Sequence, residues 1–306
     1  MTVAQAAQRS PAPLTVLWRF SRPHTIVGTL VSVLGLYAIA GAELASGAPD
    51  AGDLGWTLLA ALSVNLAIVG LNQLTDVEID RINKPDLPIA AGTLSASRAR
   101  TIVAAATALP VALAITQGPL ELTGVVVALV VSAAYSLPPV RLKGRPVLAA
   151  VCISGVRSLV VNLVVFGHFA GGSLHDLPDP VWALTAFVIP FSLAIAILKD
   201  VPDAEGDRHF RVATFTVRAG PQRAAAAGMG LLVAGYVTMA VAGPLLVDGV
   251  QPVVLSAGHL AALAALLAAR RGVDVFDQAG FTRFYLRVWA LFFAEYALVS
   301  AACLLA

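Results

Sequence analysis

"NQLTDVEIDRINKP" runs from Asn72 to Pro85, and "KDVPDAEGDR" runs from Lys199 to Arg208. Both contain the pattern D-x-E-x-D-R, at Asp76–Arg81 and again at Asp203–Arg208. The chain has 18 acidic residues, and these two hexapeptides hold six of them. Each closes a long apolar run. The runs decide the fold, and the hexapeptides at their ends point to the chemistry.

The chain around them is 58% hydrophobic and 12% charged over 306 residues, with a mean hydropathy of +0.83. Soluble domains carry about 25% charged residues, so this composition describes a membrane protein. A net charge of +2 is too small to suggest a nucleic-acid partner. Cys152 and Cys303 both lie in apolar runs and read as small core residues, not as a disulfide or metal pair.

A membrane-crossing helix needs about 20 predominantly apolar residues. That length picks out nine runs: 25–45, 56–79, 98–116, 119–137, 147–169, 180–199, 222–243, 251–270 and 283–305. The expected fold is all-α, a bundle of nine transmembrane helices around a central cavity. It forms a single domain over 1–306, with 1–22 as a cytoplasmic N-terminal segment. Pro110 and Pro190 fall inside the third and sixth runs and are expected to kink them without ending them. The first 24 residues hold Arg9, Arg19 and Arg22 but no acid, and a full-length apolar run follows. No cleavable signal or transit composition is evident, which points to a bacterial cytoplasmic membrane.

Basic residues favour the cytoplasmic side. With nine spans, the N-terminus and the loops 2–3, 4–5, 6–7 and 8–9 share one side. That side collects every one of the 20 Lys and Arg residues except Arg157. The opposite loops hold only acids, among them Asp50, Asp53, Asp176, Asp179 and Asp248. Eight spans would break this separation. The N-terminus and both hexapeptides are therefore expected to face the cytoplasm. Arg157 and Glu295 fall mid-span, where a charge normally meets a partner or an interior cavity. A structural Arg157–Glu295 pair and a substrate-cavity role for Arg157 both stand open.

If the helices continue through the hexapeptides, Asp76 and Asp80 stack one turn apart. Asn72 extends that face by a further turn. Asp203 and Asp207 repeat the spacing, with Asp200 one turn before. Glu78 and Glu205 point the other way. Stacked carboxylates repel, so a cation should compensate them, and a dense set of hard oxygens suits Mg2+ shared with phosphate oxygens. The spacing selects Asp76, Asp80, Asp203 and Asp207 as a convergent metal-binding set, with Asn72 and Asp200 on nearly the same faces as further candidates. Arg81, Lys84, Arg141, Lys143, Lys199 and Arg208 lie nearby in sequence. Acids and bases at one membrane mouth fit a metal–diphosphate. A single D-x-x-x-D would read as a solvated helix end; two matched copies on one side favour two facing halves of one site.

These two stretches resemble the aspartate-rich motifs of the UbiA superfamily of intramembrane prenyltransferases. The resemblance covers most of the chain, including "RPHT" (Arg22–Thr25) and "YSLPPVRLK" (Tyr135–Lys143). Many family members carry an arginine-proline after the first motif, whereas this chain reads "KPDLPIAAG" (Lys84–Gly92). With "VRSLVVNLVVFGHF" (Val156–Phe169), that variant resembles the homogentisate prenyltransferases.

The resemblance implies that Asn72, Asp76, Asp80, Asp203 and Asp207 hold Mg2+ against the diphosphate of an allylic prenyl donor. Arg141, Lys143 and Lys199 would neutralise the departing diphosphate, and Tyr135 would donate a hydrogen bond. Arg22, Arg81 and Lys84 would complete the donor site. The cation left behind would be sheltered from water while an aromatic small-molecule acceptor attacks it. Arg157 would pair with an acceptor carboxylate, and in the homogentisate case decarboxylation would accompany transfer. The implied partners are the donor, the acceptor and the lipid bilayer, with no obligate protein partner. A cyclase of the same superfamily, closing the prenyl cation on itself, is the nearest alternative. A transporter and a scaffold are more distant ones, because neither explains paired acids at one mouth.

Overall fold

The computed structural model of the chain describes residues 12–175 and 177–306. Arg9, with the rest of residues 1–11, and Asp176 lie outside the described residues. Nine helices are long and apolar enough to cross a membrane among those described. They are α1 (Pro23–Glu43), α2 (Ala51–Thr75), α3 (Ala96–Gln117), α4 (Pro119–Ser136) and α5 (Pro146–Phe169). After these come α6 (Asp179–Leu198), α7 (Pro221–Val241), α8 (Pro252–Arg270) and α9 (Gln278–Leu304). Each falls on one of the nine expected runs. The protein is an integral membrane protein.

Proline does much of the punctuation. It occupies the first turn of α1, α4, α5, α6, α7 and α8, where its missing N–H would be unpaired in any case. Pro110 and Pro190 instead sit inside α3 and α6, which continue through them. Beside Pro190, the Ser154 hydroxyl of α5 donates to the Ile189 carbonyl at 3.0 Å.

Consecutive helices pack side by side from α1 to α9, and α9 packs extensively against α1, closing a ring. The halves of that ring differ in filling. A large core joins α1 to α5–α9 through Phe187, Phe191, Tyr236, Phe292 and Tyr296. Between α2, α3 and α4 the buried residues are small: Val64, Ala114, Val125 and Ala128. Small side chains on that side leave an internal tunnel.

Three features depart from a bundle of uninterrupted α-helices. First, α2 stops at Thr75, Asp76 leaves the helical conformation (φ −118°, ψ 17°), and a separate short helix follows over Val77–Asn83. Second, α6 stops at Leu198 and a short helix resumes only at Ala204–His209. Pro202 lies in the gap and has no N–H to donate back to Leu198. Third, α5 widens to π-helix over Gly155–Val164, a local form common at functional sites.

The two mid-span charges do not meet each other. Glu295 Oε1 lies 3.0 Å from His259 Nε2, and both side chains are fully buried. The Arg157 guanidinium instead lies 4.7 Å over the Trp289 ring of α9.

Candidate active site

Both hexapeptides line one cavity of about 1510 Å³ at the end of the bundle where the loops 2–3, 4–5, 6–7 and 8–9 converge. From the first come Asn72, Asp76 and Asp80; from the second come Asp200, Asp203 and Asp207. The helix breaks do not disturb the spacing within each pair. The Asp80 amide donates to the Asp76 carbonyl at 2.8 Å, and Asp207 to Asp203 at 3.1 Å, so each pair still stands one turn apart. Asp200 lies inside the second break, on the other side of Pro202 from the helix that carries Asp207.

The cations come from the loop between α4 and α5 and from the ends of the two motif stretches. Lys143 Nζ donates to Asp76 at 2.6 Å and to Thr75 Oγ1 at 2.9 Å, and Arg141 approaches Asp76 at 3.4 Å. Lys84, in the loop after the first motif, pairs with Asp203 of the second. Lys199 pairs with Asp200 at 2.8 Å. Asn72 donates to the other Asp76 oxygen at 3.0 Å. Arg22 and Tyr135 also line the cavity. Arg81 stands apart from this set: it is exposed and forms a pair with Glu78 at 2.7 Å on the outer face of its short helix. Its i,i+3 partner draws it outward.

Two carboxyls lack a full counter-charge. Burial pushes Asp80 up to about 6 despite Arg22 and Lys84, and one of its oxygens, Oδ2, is buried without a hydrogen-bond partner. Burial, helped by Asp200 and Asp203, pushes Asp207 up to about 7. Burial likewise lowers Lys143 against the pull of Asp76. Burial acts to lower Lys199 too, but Asp200 holds it well above the ordinary lysine value.

The backbone around the cavity is strained in a selective way. Among the described residues, the non-glycine residues with left-handed backbone are Arg22 (φ 52°), Arg141 (φ 35°) and Arg211 (φ 56°). All three line the cavity. Such conformations cost about 1–3 kcal/mol each and cluster at functional sites.

From the same cavity a second space of about 290 Å³ runs into the bundle. Arg22, His24, Asn72, Tyr135, Lys199 and Tyr285 border both. One wall is a stripe of α4 at helical spacing: Gly124, Val125, Ala128, Val131 and Ser132. Across it stand Val156, Val160 and Val164 of α5. The wall facing α1 and α9 is more polar, with Thr25, Thr29, Asn65 and Arg157. Arg157 makes no ion pair among the described residues, and its Nη1 is buried without a hydrogen-bond partner.

A polar cavity joined to an apolar tunnel suits a ligand that is an anion at one end and a hydrocarbon at the other. The model of the UbiA prenyltransferase family matches residues 29–294. The chain belongs to that family. It is a membrane prenyltransferase. It is 42% identical over 298 residues to the homogentisate phytyltransferase of Synechocystis sp., covering 95% of this chain and 96% of that one. With the homogentisate geranylgeranyltransferase of Triticum aestivum it shares 35% identity over 96% of its own length and 74% of the relative's. In fold it is similar to a UbiA homologue of Archaeoglobus fulgidus bound to GPP and Mg2+. That match has a TM-score of 0.65 and 20% identity, over 93% of this chain and 99% of that one. Family membership sets aside the transport and scaffold readings.

Within this prenyltransferase, two residues that join the motifs escape a reading by charge and spacing. Asn83 Oδ1 accepts the Gly206 amide at 2.9 Å, and its Nδ2 faces Asp207 at 3.5 Å. A Cβ at Gly206 would collide with the Asn83 side-chain amide, so the glycine of D-A-E-G-D-R is a requirement of close approach. The signal was present as the one sharp difference between the copies, Ile79 against Gly206. Gln278 of α9 completes the join, donating to the Pro202 carbonyl at 3.0 Å.

Proposed function

We propose that the protein transfers a prenyl group from an allylic prenyl diphosphate to an aromatic acceptor of the homogentisate type, inside the membrane and with Mg2+. The observation that carries this reading is the junction of the two spaces. The paired acidic motifs and their cations end where an apolar tunnel begins, and an unpartnered buried arginine stands in that tunnel. The whole chain acts as one domain, because residues from both halves build the one cavity.

The donor set fits Mg2+. It consists of hard oxygens, one of which, on Asp80, is buried and unpartnered. Among the described residues no three His, Cys, Asp or Glu side chains enclose a metal by themselves. Mg2+ is usually held by one or two carboxylates plus substrate phosphates and water, so an open set on two facing motifs is the form this use requires. Asn72, Asp76, Asp80, Asp203 and Asp207 would hold the ion with the diphosphate, and Asp200 would contribute from behind Lys199. Bound Mg2+ would offset charge on the leaving diphosphate and ease its departure.

The chain's own residues do the rest. Lys143, Lys84, Lys199 and Arg141 place positive charge around the departing group, with Arg22 and Tyr135 at the tunnel entrance. The valine and alanine walls of α4 and α5 hold the tail and keep water from the cation. Arg157 pairs with the acceptor carboxylate, which its buried and unpartnered Nη1 favours. The basic loops support a cytoplasmic N-terminus and active-site mouth, in a bacterial membrane. A reporter fused to the N-terminus, active only in the cytoplasm, tests that side.

Purified protein with Mg2+ and geranylgeranyl or phytyl diphosphate, with and without homogentisate, tests the reaction. A prenylated aromatic product should form only when all components are present. Release of a terpene hydrocarbon or alcohol at an equal rate without acceptor would overturn the reading in favour of a cyclase. Arg157→Gln should raise KM for homogentisate about tenfold or more, with little change in KM for the donor.

A further inference from the structure

We infer that His24 is the catalytic base that removes the ring proton of the aromatic acceptor. The inference rests on the proposed reaction and adds a step which that reading leaves without a residue. When the C1–O bond of the donor breaks, its electron pair leaves on the diphosphate. A ring carbon of the acceptor then gives a pair to C1, and a C–C bond forms. That carbon now carries both a hydrogen and the new substituent. Aromaticity returns only when the proton goes to a base and the C–H pair goes back to the ring. No oxidant or reductant is needed.

The tunnel offers few groups that can accept a proton. Arg22, Arg157 and Lys199 are cationic donors. Glu121 is the third residue of α4, whereas Tyr135 marks the cavity end of the same helix. Fourteen residues separate them, about 21 Å at the helical rise of 1.5 Å per residue. Glu121 is therefore too deep to serve a carbon bonding at the diphosphate. Cys152 lines the tunnel but not the cavity.

His24 is different on both counts. It is the second residue of α1 and borders both the cavity and the tunnel. Its ring meets Trp289 edge-on at 5.0 Å and Tyr285 at 6.3 Å. Among the described residues neither of its nitrogens has a hydrogen-bond partner. Trp289 also carries the Arg157 guanidinium over its face at 4.7 Å. One indole thus carries both groups, the proposed carboxylate partner 4.7 Å and the imidazole 5.0 Å from its ring centre. An acceptor with its carboxylate on Arg157 lies with its ring beside His24, next to the donor's C1.

The test uses purified full-length protein with Mg2+, geranylgeranyl diphosphate and homogentisate carrying either hydrogen or deuterium on the ring. His24→Asn and His24→Gln should each lower kcat about 100-fold or more, with KM for the donor within about twofold. In both variants ring deuteration should slow turnover further, because proton loss becomes the slow step. His24→Gly should regain turnover with added imidazole in proportion to its concentration, which a packing defect would not do. Unchanged kcat in His24→Asn, or a loss with neither isotope effect nor imidazole rescue, would overturn the inference while leaving the proposed reaction intact. A wild-type protein that makes no prenylated homogentisate would overturn both.

Discussion

The two D-x-E-x-D-R copies are nearly the same in sequence and are held in different ways. Asp76 is neutralised from a distant loop, by Lys143 and Arg141 between α4 and α5. Asp203 is neutralised by Lys84, and the helix that carries Asp207 is pinned by Asn83. Both of those residues belong to the tail of the first copy. The support therefore runs one way: the first copy props the second, while the first leans on another part of the ring. Two equivalent halves of a clamp would each be self-supporting. Here the first half supplies contacts that position the second, with no return contact of the same kind among the described residues.

The comparison breaks most severely where the copies are alike. Asp76→Asn and Asp203→Asn should each lower kcat/KM for the donor by about 10²–10³-fold, the loss expected on removing one electrostatic contact to a charged leaving group. Because both would serve one ion–diphosphate unit, the double variant should fall well short of the product of the single losses. Turnover assays with Mg2+ held in excess measure this. A variant at either position that works at the wild-type rate would remove that copy from the site.

The fourth position, where the copies differ, gives the next largest effect. Gly206→Ala puts a methyl against the Asn83 amide and should force the second motif helix off the first. Activity should drop about tenfold or more, with a lower melting temperature. Ile79→Ala at the matching place in the first copy meets no such neighbour and should leave activity within about threefold. Asn83→Ala should reproduce most of the Gly206→Ala loss, and combining the two should add little, because both break one contact.

How much of this could be read in advance follows from the physics of each feature. All nine spans were apparent because lipid demands about 20 apolar residues in a row, a constraint written locally in the chain. The acidic motifs were apparent for the opposite reason, as charge where little else is charged. The breaks at Asp76 and between Leu198 and Ala204 were not, although Pro202 gave a clue to the second. Nor was the π-helical stretch Gly155–Val164, whose apolar pattern is ordinary for a span. Asn83 and Gly206 meet across 123 positions, and His259 meets Glu295 across 36. Such partners depend on how helices are arranged, which no local pattern records. Arg157 was visible as a misplaced charge, yet only the packing showed Trp289 beneath it in place of Glu295.

The smallest effects separate the two supporting lysines. Lys143 is almost fully buried, with 9% of its side chain exposed, and holds Thr75 as well as Asp76. Lys84 is 37% exposed and holds Asp203 alone. Breaking a buried pair leaves an uncompensated charge, so Lys143→Met should destabilise the protein by about 2 kcal/mol, with Arg141 limiting the loss. Lys84→Met should cost about 1 kcal/mol or less, as water screens its partner. Unfolding of the detergent-solubilised protein compares the two. In turnover the order should reverse for the donor: Lys84 can swing from Asp203 to a bound diphosphate, whereas Lys143 is fixed by two partners. Lys84→Met should therefore raise donor KM more than Lys143→Met does. Equal effects of the two lysines in both measurements would mean that the copies are supported symmetrically after all.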